Sequence, residues 1–144
     1  MNFIKQINSE NSNICYELDL KSIKLWNKDQ WKNELEKDYV TAMGIFSNNL
    51  LLGICVFHKM YDEAEISYLS VLPSYKRKGL GKKLIHNIIR QCKNDNIKKI
   101  FLEVSLKNKQ ALNFYDDFGF ETIRIRKKYY RDGSDAILKG KNVK

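Results

Sequence analysis

The chain has 144 residues, 43% of them hydrophobic, which fits one compact domain over 1–144 with apolar surface enough for a single core. The opening MNFIKQINSENSN lacks the apolar run of a secretory signal, and no stretch approaches the roughly 20 apolar residues that cross a bilayer, so a cytoplasmic protein with no membrane partner is expected. The net charge of +9 comes with 21 Lys, 5 Arg and 14 Asn, a flavour that coding bias also produces, so the total by itself is weak evidence for a nucleic-acid partner.

Taken in chain order, Phe3, Ile4 and Ile7 suggest a short first strand. Ile14, Leu18, Ile23, Leu25 and Trp26 follow a loose helical spacing, and two helices are expected within 12–37. The second is capped by Asn27 and carries Trp31 and Leu35 on one face. Residues 39–46 and 50–60 are rich in β-formers and separated by Ser47, Asn48 and Asn49, which predicts an antiparallel hairpin. Asp62 and Glu63 mark a further turn, and the strand EISYLSVL runs to Pro73.

From Lys78 onward, Leu80, Leu84, Ile85, Ile88, Ile89 and Cys92 recur at three- and four-residue intervals, the pattern of a long amphipathic helix that NDN at 94–96 ends. KKIFLEV (98–104) reads as a strand, and 108–118 as a helix begun by Asn108 and stopped at Gly119. Two closing strands flank RDGSD, and the terminal GKNVK is expected to fray. Hairpins mixed with helical crossovers predict an α/β fold with a mixed sheet covered by helices on both faces.

Cys15, Cys55 and Cys92 are odd in number, far apart and in no CxxC or Cys/His cluster, so they read as reduced core thiols with no metal role. His58 and His86 are isolated from one another and receive no assignment.

The segment SYKRKGLGKK sets Lys76, Arg77, Lys78, Lys82 and Lys83 within eight residues that contain no acid, at a helix start. Free N–H groups, the positive end of the helix dipole and glycines that admit close approach together make an anion site. An ordinary strand-to-helix turn with solvated lysines is the plainer reading of a lone Gly-x-Gly. No third glycine follows Gly81 to make a dinucleotide fingerprint, and Lys83 stands where a P-loop needs Ser or Thr.

The longer string from Val71 to Leu84, V-x-P-x-Y-basic-basic-x-G-x-G-x-x-L, resembles the acetyl-CoA-binding motif of the GNAT N-acetyltransferases. Lys76 stands where that motif usually has Gln or Arg. LEVSLKNKQALNFYDDFGF (102–120) is similar to a second family segment. KLWNKDQWKNEL (24–35) and RIRKKYYRDGSDAILK (124–139) resemble the acceptor-flanking regions of ribosomal-protein-alanine N-acetyltransferases of the RimI type. Leu25 and Arg131 replace prolines there, departures that bear on peptide preference.

The resemblance implies a GNAT (acyl-CoA N-acyltransferase) fold, acetyl-CoA as co-substrate and no metal. It implies coenzyme contacts from Leu69, Ser70 and Val71, from Arg77, Lys78, Gly79, Leu80, Gly81 and Lys82, and from Asn108. It also implies Glu103 as general base and Tyr115 as general acid. Residue by residue, plainer roles stand alongside: a surface carboxylate for Glu103, a core aromatic for Tyr115, a helix cap for Asn108. Tyr129 and Tyr130 fit either a wall of the acceptor channel or cross-strand packing.

The expected reaction is acetylation of a protein N-terminus, the terminal alanine of a small-subunit ribosomal protein, by a monomer or weak dimer that binds no nucleic acid directly. Lysine side chains or a small-molecule amine are the alternative acceptors. A basic RNA-binding module is the non-enzyme alternative, and it calls for basic and aromatic residues alternating on an exposed sheet.

Overall fold

Among the described residues the chain builds seven strands, two of which alternate buried and more exposed positions along their length, and four α-helices. The computed structural model describes residues 2–143. In order the elements are β1 (Asn2–Gln6), α1 (Ser12–Leu20), α2 (Lys28–Leu35), β2 (Val40–Ser47), β3 (Leu50–Met60), β4 (Glu63–Val71), α3 (Leu80–Asn94), β5 (Lys99–Ser105), α4 (Lys109–Asp117), β6 (Glu121–Arg126) and β7 (Ala136–Asn142). The strands form one sheet in the order β1-β2-β3-β4-β5-β7-β6. β4 and β5 are parallel and the remaining neighbours antiparallel, so the sheet is mixed, as the element order predicts.

One core lies under α3 and α4, where Leu84, Ile85, Ile88 and Cys92 meet Phe57, Ile100 and Leu102. The other lies under α1 and α2, where Leu18 and Trp31 meet Ile54, Val56 and Tyr68. All three cysteines are free and buried. Burial pushes the Cys15 thiol up to about 12 and, as the main cause, Cys92 up to about 11, so both stay neutral. Among the described residues no helix is long and apolar enough to cross a membrane.

Two irregularities shape the middle of the sheet. Val56 pairs with Tyr68 but its neighbour Phe57 pairs with Ile66, leaving Ser67 as an extra residue in β4. Such a bulge reverses which face each later side chain takes. Ala64 and Ile66 accordingly belong to the α3/α4 core, whereas Tyr68 belongs to the α1/α2 core. Moreover, β4 and β5 pair only over Glu63–Glu65 and Lys99–Phe101. Beyond that the two strands part, and a wedge opens through the centre of the sheet.

Three expectations are corrected. Ile23 and Leu25 do not continue a helix: α1 ends at Leu20 and both side chains are about half exposed. The Asp19 carboxylate accepts the Leu25 and Trp26 N–H groups, giving this loop backbone partners that a helix would otherwise supply. The long helix starts at Leu80 rather than Lys78, because Gly79 at its N-cap has a left-handed backbone (φ +79°). Finally, GKNVK does not fray over its described part. β7 runs to Asn142 against β5, and Val143 is buried and donates its N–H to the Lys98 carbonyl. Lys144 lies outside the described residues.

Candidate active site

The anion site is assembled by chain direction. Pro73 opens a 3-10 turn over Pro73–Tyr75 just after β4, and the chain then enters α3 through Arg77 (φ +64°) and Gly79 (φ +79°). Gly79 has no side chain with which to cap, and the first helical bond at this end is Lys83 N–H to the Gly79 carbonyl. The N–H groups of Leu80, Gly81 and Lys82 are thus left for a ligand, at the positive end of a 15-residue helix whose first turn carries no acid.

A Cβ on Gly79 would meet nothing within 4 Å, so what demands glycine there is the backbone angle. Gly79→Ala is expected to cost about 1 kcal/mol of stability through left-handed strain. It should also weaken coenzyme affinity several-fold by re-aiming these amides. Denaturant melts alongside coenzyme titrations check both effects.

Beside this turn lies a cleft of about 330 Å³. Its walls are Leu69, Ser70 and Val71 at the end of β4, then Arg77, Gly79, Leu80, Gly81 and Lys82, then Asn108, Ala111, Phe114 and Tyr115 around α4. The two sequence motifs, far apart in the chain, thus face each other across one cavity. Lys78 stands outside the lining, with its Nζ 5.3 Å from the Tyr75 ring centroid. Asn108 both lines the cleft and caps α4, its Oδ1 accepting the Ala111 N–H at 3.1 Å.

Tyr115 is both packed in the core and at the cleft. Its ring is packed against Phe114 and Phe120 at 5.2 and 5.6 Å, yet it also borders the cleft. Burial pushes its phenol above the ordinary value, so the hydroxyl keeps its hydrogen throughout the neutral range.

Glu103 is not part of the cleft lining. It lies on β5 between the buried Leu102 and Val104, so alternation turns it to the opposite face of the sheet. It also lies past Phe101, where pairing with β4 has stopped. Glu103 and Tyr115 therefore approach the β4–β5 wedge from opposite faces. The Glu103 side chain is 22% exposed, with the Nε of Arg126 3.7 Å from its Oε2. That Oε2 is buried and accepts no hydrogen bond among the described residues. Burial and then the nearby Glu103 charge push the Tyr130 phenol up.

The α1–α2 loop closes the other side, and one carboxylate fixes it. Asp19, fully buried, accepts the Leu25 and Trp26 N–H groups, the Trp31 indole N–H at 3.0 Å and the Tyr68 hydroxyl at 2.9 Å. Ile23 is carried on this loop to the cleft mouth. Asp19, Arg126, Ile23 and Phe114 were not singled out as site residues by sequence reasoning. For the first three the available signal was their position in or beside the segments resembling acceptor-flanking regions.

The model of the acetyltransferase (GNAT) family matches residues 5–120. The chain belongs to that family. It is an acetyltransferase, and enzymes of this family use acetyl-CoA. A curated relative is the [ribosomal protein bS18]-alanine N-acetyltransferase of Haemophilus influenzae, 30% identical over 131 residues, which are 90% of this chain and 88% of that protein. The fold matches the crystal structure of the ribosomal-protein-S18-alanine N-acetyltransferase from Escherichia coli with a TM-score of 0.93 at 24% identity, covering 99% of this chain and 94% of that one. It also matches the PaiA N-acetyltransferase from Thermoplasma acidophilum, solved in complex with coenzyme A, with a TM-score of 0.80 at 19% identity, covering 96% and 98%.

The acetyltransferase cleft fits this coenzyme on its own chemistry. Amides left over at the start of α3, with Arg77 and Lys82 beside them, suit a pyrophosphate. The end of β4, paired with β3 but no longer with β5, suits amides that add to a sheet as a strand does.

Proposed function

We propose that this acetyltransferase transfers an acetyl group from acetyl-CoA to the N-terminal α-amino group of a protein, with the terminal alanine of a small-subunit ribosomal protein as its target. The observation that carries the reading is the pair Glu103 and Tyr115, set on opposite faces beside the wedge between β4 and β5. The target follows the printed activity of the Haemophilus influenzae relative.

Acetyl-CoA supplies an acetyl thioester, which reacts with an amine to give an amide and a free thiol. The Leu80, Gly81 and Lys82 amides hold the pyrophosphate, with Arg77 beside them and Asn108 across the cleft. The backbone of Leu69, Ser70 and Val71 orders the pantetheine arm and aims N–H groups at the carbonyl oxygen. Glu103, through its free Oε2 lone pair, takes the proton that the amine nitrogen loses as its bond to the acetyl carbon forms. Tyr115 offers its hydroxyl hydrogen to the sulfur as the C–S bond breaks. Because the phenol is less acidic than a thiol of about 8.5, its O–H first answers the charge developing on sulfur by hydrogen bonding. The proton that ends on the thiol is balanced by the one Glu103 takes from the amine.

Incubation with labelled acetyl-CoA and peptides beginning with Ala, Ser or Met, beside a blocked peptide with one internal lysine, tests the acceptor. Label on the α-amine is expected; label confined to the lysine would refute this reading. Glu103→Gln should lower kcat/KM about 100-fold near pH 7, the low end of the usual range for a lost general base. The deficit should shrink above pH 8, where the α-amine (pKa about 7.7 to 8.0) is already neutral and hydroxide can take the proton. A flat deficit across pH would place the base elsewhere.

A further inference from the structure

We propose that Arg126 is a specificity-determining residue, making the site admit amines that arrive uncharged and thereby favouring N-terminal α-amines over lysine side chains. The proposal rests on Glu103 being the base.

Arg126 ends β6, with β7 between it and β5. Its register partner is Ala136, which is also the partner of Ser105, while Glu103 pairs with Leu138. Arg126 and Glu103 therefore lie diagonally on one face of the sheet, across the small Ala136. The guanidinium is held from both sides, with Nε 3.7 Å from Glu103 Oε2 and the central carbon 5.2 Å from the Tyr129 ring centroid.

The 3.7 Å separation is too long for a hydrogen bond but short for two charges. The charge of Glu103 is thus compensated while Oε2 accepts no hydrogen bond among the described residues. Ordinary ion pairing would occupy that oxygen, and a solitary carboxylate would draw in any ammonium.

The other charged or titratable groups around Glu103 do not cancel this effect. Arg124, by register, adds positive charge on the same face, and the Tyr130 phenol is neutral. Lys107 and Lys127 are each 3.4 Å from their own carboxylates, Asp132 and Asp135. Asp19 is enclosed in its own set of donors.

An ammonium approaching Glu103 meets the Arg126 charge, whereas a neutral amine does not. At pH 7 to 8 a substantial share of α-amines is neutral, since their pKa is about 7.7 to 8.0. A lysine, near 10.4, is neutral only in about 0.4 to 4 molecules per thousand over the same range. Closing the ammonium route therefore selects between the two acceptors.

The test compares kcat/KM of wild type, Arg126→Gln and Arg126→Lys for an Ala-starting peptide without lysine and for a blocked peptide with one lysine, over pH 6.5–9. Arg126 is 41% exposed, and solvent screening limits the expected fall in the α-amine-to-lysine ratio of Arg126→Gln to roughly fivefold. Below pH 8 the rise of kcat/KM with pH should become shallower, because an ammonium bound directly by Glu103 needs no prior deprotonation. Arg126→Lys should keep both the ratio and the slope.

A ratio and slope unchanged in Arg126→Gln overturn the proposal even where overall activity falls. An assay without variants decides independently: wild type should gain kcat/KM at pH 7 as the side-chain amine of the lysine peptide is replaced by less basic analogues, and indifference to basicity overturns it. Wild type that prefers lysine overturns the acceptor reading and this inference together. Wild type that prefers α-amines with no Arg126 effect overturns this inference alone.

Discussion

Asp19→Ala is expected to destabilise the protein by about 3 to 5 kcal/mol, the range for stripping a buried charged group from its partners. Asp19 has no exposed surface and takes hydrogen bonds from two backbone N–H groups, an indole N–H and a phenol. Removing the carboxylate leaves four donors facing a small void, each with a desolvation cost of about 1 to 3 kcal/mol if nothing replaces the acceptor. Relaxation of the exposed loop and entry of water hold the total below that sum.

For a chain of this size the expected loss corresponds to a melting temperature lower by roughly 10 °C or more. Asp19→Asn keeps the volume but turns one acceptor into a donor among donors, so its cost should be intermediate. Because the loop carries Ile23 to the cleft mouth, residual folded Asp19→Ala should also show a raised KM for peptide. Denaturant unfolding decides; a loss under about 1 kcal/mol would mean that the loop finds other partners and that Asp19 does not organise it.

Asp19 also marks what the sequence could and could not disclose. Where local chemistry decides, the elements were legible. Asn27 caps α2 in a reciprocal box with Gln30, each side chain accepting from the other's backbone at 2.8 Å. Asn48 takes the left-handed backbone its hairpin turn needs. The apolar stripe of α3 is buried at Leu80, Leu84, Ile85, Ile88 and Cys92.

What stayed hidden depends on partners remote in sequence. Ile23 and Leu25 keep a helical spacing, but the loop is settled by Asp19 and Tyr68, which lies 49 residues from Asp19. Lys139 on β7 is only 3% exposed, with its Nζ bonded to Asp116 at 2.7 Å and Thr122 at 3.2 Å, partners that no local pattern discloses. GKNVK looked frayed because nothing local shows that β5 is there to pair with it.

The site divides in the same way. The proposed coenzyme turn is one continuous segment that offers its own backbone amides, so its geometry could be read from the string alone. The proposed acceptor side draws on the loop between α1 and α2, the end of β5 and the β6–β7 hairpin. Arg126 meets Glu103 only once β7 has been laid between their strands, and no spacing along the chain encodes that.

Tyr115→Phe should reduce kcat about 100-fold, the lower part of the range for losing general acid catalysis, while affinity for acetyl-CoA stays within about twofold. The ring keeps its place between Phe114 and Phe120, so stability should change by less than about 1 kcal/mol. This variant therefore separates chemistry from structure. Only the hydrogen offered to sulfur is removed, and the thiolate must leave with its charge answered by water or backbone alone.

The sign with pH is fixed as well. Burial holds the phenol protonated above its ordinary value of about 10, so wild-type activity should show no alkaline decline from this group below that pH. Thioesters with more acidic thiols need less help in leaving, and the deficit of Tyr115→Phe should shrink with them. Single-turnover rates across a series of acetyl thioesters measure this, and an equal deficit for good and poor leaving groups would show that Tyr115 shapes the cleft without donating a proton.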